Sequence, residues 1–259
     1  MPIDVVRSPA TGRLAPPLPR RLLAEFLGTG LLVTVVVGSG IAAQRLSPED
    51  VGLQLLENSL ATGFGLAVLI LMLGPVSGAH FNPVVSAADW WLGRRAGSGL
   101  SGQEVGAYTL GQTAGGIAGA VLANVMFDVR LGFSTTERSD WRLWVGEVVA
   151  TAGLVTLVFA LARTGRSAWA APAVGAYIGA AYWFTSSTSF ANPAVTAGRV
   201  FSDSFAGIEP SSVVGFVVAQ VVGGALAAIG VCALYPDVAA SAGDVVIPTL
   251  TTGDAHDQH

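Results

Sequence analysis

Two stretches of the chain, SGAHFNPVVSAADWW at residues 77–91 and SSTSFANPAVTAGRVF at residues 186–201, share one pattern. Each runs from small polar residues into Asn-Pro, at Asn82 and Asn192, and then into a short apolar segment. Asparagine is a favoured N-cap and proline suits the first helical turn, so each stretch predicts a helix that begins at its Asn-Pro. Both apolar segments are shorter than the roughly 20 residues that cross a bilayer. We therefore predict two half-helices.

Six longer apolar runs surround these stretches and predict transmembrane helices. The composition agrees, because 52% of the 259 residues are hydrophobic, only 12% are charged and the mean hydropathy is +0.61. We expect a disordered arm at residues 1–19, one membrane domain at 20–235 and a polar tail at 236–259. The six runs are Leu22–Ala43, Leu53–Leu73, Val105–Phe127, Leu143–Ala162, Ala168–Phe184 and Val213–Tyr235.

The charge and the cysteine count exclude several functions. A net charge of -4 gives no basic surface for nucleic acid. The single cysteine, Cys232, permits no internal disulfide, and we expect it to be a buried, inert thiol. The chain has three histidines, two of them in the C-terminal tail. No metal site and no cofactor are therefore predicted.

The two halves of the chain are similar, at about residues 20–127 and 140–235. AEFLGT at residues 24–29 corresponds to GEVVAT at 146–151, and both Asn-Pro loops are followed by Gln-x-x-Gly-Gly. The glutamine follows the asparagine by 30 residues in one half (82 to 112) and by 28 in the other (192 to 220). Three motifs in the same order and at nearly equal spacing indicate an internal repeat.

Each half contains an odd number of spans, so the second half crosses the membrane in the opposite sense. This is an inverted repeat related by an axis in the membrane plane. The half-helices then meet N-terminus to N-terminus near the midplane. Eight arginines fall on segments that are cytoplasmic if the N-terminus is inside, against five outside. This bias predicts both termini in the cytoplasm. We expect the inner (plasma) membrane as the location.

Together these residues resemble the aquaporin, or major intrinsic protein, family. The resemblance rests on the paired Asn-Pro-(Ala/Val) loops, on AEFLGT, on SGAHFNP and on the paired Gln-x-x-Gly-Gly, and it covers about residues 20–235. It implies an all-α fold of six transmembrane helices and two half-helices. It also implies a homotetramer with one pore per protomer, no cofactor, and passive conduction of water or small neutral solutes.

The two asparagines would lie at the centre of such a pore. A helix N-terminus exposes unpaired N–H groups and about half a positive charge, so two of them facing each other repel cations. Asn82 and Asn192 would each project an amide donor that orients a water molecule and interrupts a proton-conducting chain. The alternative is that both asparagines are only helix caps.

We expect mainly structural roles for the glutamates and glutamines near the loops. Glu25 and Glu147 lie within spans, and the resemblance implies that they brace the loops by accepting their N–H bonds. The alternative role for these two glutamates is a proton relay. His80 either lines the pore or supports the loop. We expect Gln112 and Gln220 to serve helix packing beside the Gly-Gly pairs.

The second loop departs from the family pattern at Val195. Most members read Asn-Pro-Ala-Arg there, and that arginine forms the narrow outer filter. The first loop has Val84 in place of alanine, a modest steric change.

The other filter positions follow from spacing. They are Thr62 in the second span, where water-specific members carry a large aromatic residue, and Ser189 in the second loop. Counting forward from Pro172 gives Trp183 for the fifth span, whereas counting back from Asn192 gives Ala180. The filter is therefore predicted to be wider and less cationic than that of a strict water channel, unless Trp183 or a loop fills the gap.

Arg199 lies four residues after Val195, hence about one helical turn further out on the same face. We expect it to border the outer vestibule and to discourage cations there. Asp89 occupies the equivalent place in the first repeat, which makes a charged residue at each pore mouth possible. Surface or intersubunit pairing of Arg199 is the alternative.

The sequence thus predicts a passive channel for water and small uncharged solutes. The arginine-free filter resembles those of bacterial members associated with glycerol-like polyols and with metalloid hydroxides or organoarsenicals. An ion-coupled secondary transporter also uses inverted repeats, but it needs a carboxylate-rich ion site. An intramembrane enzyme would need a nucleophile–base pair or metal ligands, and His80 has no evident partner of that kind.

Overall fold

The computed structural model describes residues 16–94 and 97–235, and this part of the chain is helical with no β-strand. Short 3-10 turns at Ser167–Trp169 and Pro210–Ser212 lead into the sixth and eighth α-helices. The predicted C-terminal tail and most of the predicted N-terminal arm lie outside the described residues. The α-helices are α1 Leu18–Leu46, α2 Val51–Ser77, α3 Pro83–Gly93, α4 Gly102–Met126, α5 Trp141–Arg163, α6 Ala170–Phe184, α7 Pro193–Arg199 and α8 Val213–Leu234.

The two halves repeat one order of helices: long, long, short, long. The six predicted spans correspond to α1, α2, α4, α5, α6 and α8, and the two half-helices to α3 and α7. By length and mean hydropathy alone, four helices of the described chain qualify as spans, namely α1, α2, α5 and α8 with its leading turn. Of the other two, α4 has 25 residues, many of them small or polar, and α6 has 15. Polar and small residues suit helices that pack against protein rather than lipid.

Corresponding helices make corresponding contacts in the two repeats. α1 packs chiefly on α4, α5 packs on α8, and α2 meets α6 between the repeats. The α2–α6 contact is close at Gly63, where an added methyl group would lie 2.9 Å from the carbonyl oxygen of Gly175. Gly63 and Gly175 are equivalent positions, so the repeat axis passes near them.

The α1–α4 contact depends on glycine. A methyl group on Gly119 would overlap the carbonyl oxygen of Gly30. The hydroxyl of Thr34 donates to the Gly119 carbonyl at 3.1 Å. Small residues at such crossings let helix backbones approach closely in a membrane protein.

The outward faces of the long helices are apolar. Phe64, Leu71, Leu110 and Val214 are each at least 64% exposed on the isolated chain. Cys232 belongs to this outer surface, because it is exposed on α8. The expectation of a buried thiol was therefore wrong, since an apolar run in a membrane helix faces outward as well as inward.

Candidate pore

The two half-helices meet through their asparagines. The side-chain oxygen of Asn82 accepts a hydrogen bond from the Val84 N–H at 3.0 Å, and that of Asn192 accepts from the Ala194 N–H at 3.0 Å. Each asparagine therefore caps its own helix, as such residues commonly do.

The amide groups of the same asparagines reach across to the opposite loop. Asn82 Nδ2 donates to the carbonyl of Ala191, and Asn192 Nδ2 donates to the carbonyl of Phe81, both at 2.7 Å. An amide has two N–H donors, so each asparagine has one more for a molecule in the adjoining cavity. The reciprocal bonds hold the N-termini of α3 and α7 together.

Both loops before the half-helices have an unusual backbone. Ala79 and Phe81 in the first loop, and Ser189 and Ala191 in the second, have φ between 48° and 50°. Left-handed backbone at non-glycine residues costs on the order of 1–3 kcal/mol and persists only where surrounding contacts enforce it. The same conformation at equivalent positions shows that the two loops are built alike.

Two buried glutamates supply those enforcing contacts. Glu25 accepts the N–H groups of His80 at 3.0 Å and Phe81 at 2.7 Å, and also the hydroxyl of Ser77 at 2.6 Å. In the second repeat, Glu147 accepts two loop N–H groups at 2.8 Å each, from residues 190 and 191. Both glutamates are 0% exposed. Their oxygens are occupied by structural bonds, and nothing here supports an ion-coupling site.

The two glutamines have a more specific role than helix packing, because each donates a hydrogen bond to a buried glutamate. Gln112 donates to Glu25 at 2.7 Å, and Gln220 donates to Glu147 at 2.6 Å. Each glutamine also approaches a hydroxyl of the half-helix, Ser86 at 3.1 Å or Thr196 at 2.9 Å. The expected packing role was therefore incomplete, because the sequence repeat does not reveal which polar groups face each other across helices.

A cavity lies between the repeats and is lined by both of them. Its walls come from α1, α2, α3, α5, α6, α7 and the two loops. Equivalent residues recur on opposite sides, for example Leu32 with Leu154 and Val85 with Val195. The lining residues are Leu32, Val36, Thr62, Leu66, Ile70, Ala79, His80, Phe81, Asn82, Val85, Leu154, Val158, Ala170, Val174, Ile178, Tyr182, Ser189, Phe190, Asn192, Val195 and Arg199.

Three of the predicted filter residues, Thr62, Ser189 and Val195, line this cavity. The two candidates for the fifth-span position do not. Trp183 is 52% exposed and donates to Ser59 at 3.1 Å outside the cavity.

Ala180 is also exposed and lies outside the cavity wall. The inward residue is Tyr182, which is 3% exposed and whose hydroxyl lies 3.1 Å from that of Thr62. Successive helical residues point about 100° apart, so a count that is off by one residue leaves the wall.

His80 lines the cavity near the pore-centre loop, and its ring is also tied to protein. Its Nδ1 lies 3.0 Å from the hydroxyl of Ser86, and its ring centroid is 5.5 Å from that of Tyr108. Both interpretations of His80 that the sequence left open are therefore compatible with its position.

Arg199 lines the same cavity, but it is not in open water. It is 2% exposed, its Nε donates to the carbonyl of Ala206, and its Cζ lies 3.4 Å from the ring centroid of Phe190. The sequence predicts Arg199 at the border of the outer vestibule, whereas in the structure the loop that carries Ala206 covers its guanidinium. Asp89, its repeat equivalent, does not line the cavity and instead accepts the N–H of Leu100 at 2.7 Å.

An all-helical bundle, two half-helices joined at paired asparagines and a cavity walled by both repeats define a multi-pass membrane channel with an inverted repeat. Residues 15–191 match the family described as Major intrinsic protein. The chain belongs to this family, whose members are channels and not enzymes.

Known proteins similar to this chain are named aquaporins or aquaglyceroporins. It is 49% identical over 220 residues to aquaglyceroporin AqpS of Rhizobium meliloti (strain 1021), covering 84% of this chain and 88% of the relative. It is 37% identical over 117 residues to aquaporin Z of Photorhabdus laumondii, covering 45% and 48% of the two chains. The X-ray structure of the aquaglyceroporin from Plasmodium falciparum has the same fold, with a TM-score of 0.60, 17% identity and coverage of 89% of this chain and 100% of that one.

Proposed function

We propose that this protein passes water and small uncharged solutes, glycerol-like polyols among them, passively through the cavity between its repeats. The observation that carries the proposal is Val195 at the filter position, 4% exposed and in the cavity wall. The isopropyl group of Val195 adds no charge to the opening and does not reach across it, whereas a guanidinium at this position would do both. The name of the relative AqpS, an aquaglyceroporin, supports the same class of solute.

The polar groups of the cavity suit polyols and water. The hydroxyls of Thr62 and Tyr182 and the amides of Asn82 and Asn192 offer hydrogen bonds along a wall that is otherwise mostly apolar. Apolar walls with a few placed polar groups are typical of sites for small organic molecules. A polyol can turn its carbon chain to the aliphatic side and its hydroxyls to the polar groups.

The pore centre explains how ions and protons would be excluded. The N-termini of α3 and α7 direct positive ends of helix dipoles at the same region, which repels cations. The spare amide donors of Asn82 and Asn192 would orient a central water molecule, so that no continuous proton wire forms.

The assembly and the topology belong to the same proposal. We infer a homotetramer with one pore per protomer in the cell's inner membrane, with both termini in the cytoplasm. The exposed apolar faces of α2 and α8 fit lipid or a neighbouring protomer. Metalloid hydroxides and organoarsenicals of glycerol-like size extend the range of candidate solutes.

Stopped-flow light scattering of proteoliposomes tests the function directly. Vesicles that contain the protein should shrink and reswell faster than empty vesicles in a glycerol gradient, and they should also shrink faster in an impermeant osmolyte. A panel of glycerol, urea and longer polyols then sets the size limit. Fast water flux with glycerol flux equal to that of empty vesicles would contradict the proposed solute class.

A further inference from the structure

Arg199 is a buried cation in the cavity wall that forms no salt bridge among the described residues. In the described part of the chain, the salt bridges join Arg21 to Glu104 and Arg142 to Asp140, so neither involves Arg199. Its interactions are the Ala206 carbonyl at Nε and the face of Phe190. Both terminal nitrogens of the guanidinium lack a hydrogen-bond partner among the described residues.

A second arginine lies against the same ring. The Cζ atom of Arg138 is 5.1 Å from the Phe190 centroid. Arg138 donates to the carbonyls of Gly207 at 2.9 Å and Phe205 at 3.3 Å. Burial lowers the pKa of Arg138, which shows that its charge is costly at this position. Two guanidinium groups thus share one aromatic ring and one loop, and the carboxylate of Glu147 attracts both without bonding to either.

Ser189 adds an unused hydrogen-bonding group to the same cavity wall. Its hydroxyl is buried without a partner, its residue is 3% exposed, and it lines the cavity directly before Phe190. Among the lining residues there is no aspartate or glutamate, and Arg199 is the one arginine. A buried hydroxyl that bonds no protein group can form its hydrogen bond with a molecule in the cavity.

We propose that Arg199 and Ser189 form a binding site for the carboxylate of a small monocarboxylate at the outer part of the cavity. The planar fork of a guanidinium binds both oxygens of a carboxylate, and its aromatic support preorganises it. The anion would pair with a buried charge that now forms no ion pair, and the serine would donate a third hydrogen bond. This site rests on the proposed channel, because the ligand reaches it through the pore.

Glycerate is a suitable probe, because it has the three-carbon skeleton of glycerol with one terminal carboxylate. Sodium glycerate, equilibrated on both sides of proteoliposomes, should slow glycerol flux in a saturable way. Sodium chloride at equal osmolarity controls for ionic strength and for anions in general. Slowing by glycerate and not by chloride supports the site, whereas equal effects of the two salts would overturn it.

Variants locate the effect. Arg199→Met should raise the glycerate concentration for half-inhibition by roughly tenfold to a hundredfold, the loss expected for a charge-assisted hydrogen-bonded pair. Arg199→Lys keeps the charge and should retain part of the inhibition. Arg142→Met removes an arginine that is 71% exposed and salt-bridged to Asp140, and it should inhibit like the wild type. Each flux is compared with the same variant's own uninhibited flux.

Ser189→Ala keeps the proposal testable if Arg199 variants do not fold. It should weaken glycerate inhibition severalfold without changing any charge. Inhibition that is unchanged in Ser189→Ala and in a folded Arg199→Met would overturn the site. Glycerol flux without salt tests the channel itself, so an active channel that glycerate does not inhibit contradicts only the carboxylate site.

Discussion

The hydroxyl groups of Thr62 on α2 and Tyr182 on α6 lie 3.1 Å apart in the cavity wall. Their repeat equivalents, Val174 and Ile70, also line the cavity but are apolar. The symmetric backbone therefore carries an asymmetric lining, with the hydroxyl pair in only one of the two equivalent places. We therefore expect selectivity to depend on side chains carried by this repeated frame.

Tyr182 should limit the size of solutes that pass. Tyr182→Ala removes the aromatic ring from the wall, so flux of polyols longer than glycerol should rise by about threefold or more, which corresponds to about 0.65 kcal/mol of barrier. Trp183→Ala is the matched control, because this side chain is 52% exposed and outside the cavity. Stopped-flow flux per channel checks both. A larger gain in the tryptophan variant would mean that Trp183, and not Tyr182, faces the pore.

Glu147 should stabilise the second loop. In Glu147→Gln one acceptor oxygen becomes a donor that faces the N–H groups of Phe190 and Ala191, which should cost about 1–3 kcal/mol of folding free energy. Thermal unfolding in detergent measures the loss. Glu137→Gln, on an exposed loop, should leave the unfolding temperature unchanged. A stable Glu147 variant whose flux has lost its pH dependence would favour the proton relay instead.

Helix packing between α1 and α4 offers a third test. Gly119→Ala places a methyl group against the Gly30 carbonyl and should destabilise the protein by about 1–3 kcal/mol, the usual cost of overpacking. Gly106→Ala on the same helix meets nothing within 4 Å, and it should be neutral or stabilising by up to about 1 kcal/mol. Equal unfolding temperatures for the two variants would contradict the close approach.

Much of this fold was predictable because membrane helices and caps depend on local sequence. The half-helices begin at Pro83 and Pro193 as the Asn-Pro pattern predicts, and the glutamates accept loop N–H groups as the resemblance implied. A bilayer forces apolar runs into helices and buried backbone groups into bonds, so few alternatives exist.

The inward face of α6 was not predictable by counting. A 3-10 turn at Ser167–Trp169 precedes the helix, and the loop after it is short, so counts from the two ends gave Trp183 and Ala180 on either side of Tyr182. Each residue of error turns a side chain by about 100°.

The burial of Arg199 was missed for another reason. Its contacts come from Phe190 and Ala206, residues on loops whose path depends on the tertiary structure. Helical periodicity places Arg199 on the right face, but it does not show what folds over that face.

If the absence of arginine from the filter is what admits polyols, Val195→Arg should exclude them. The glycerol-to-water permeability ratio of proteoliposomes, measured by stopped flow for the wild type and for this variant, is the decisive quantity. A guanidinium at this position should narrow and charge the opening, so the ratio should fall by about tenfold, equivalent to about 1.4 kcal/mol of added barrier for glycerol. An unchanged ratio in a folded, water-conducting variant would place the constriction elsewhere and contradict a selectivity that depends on Val195.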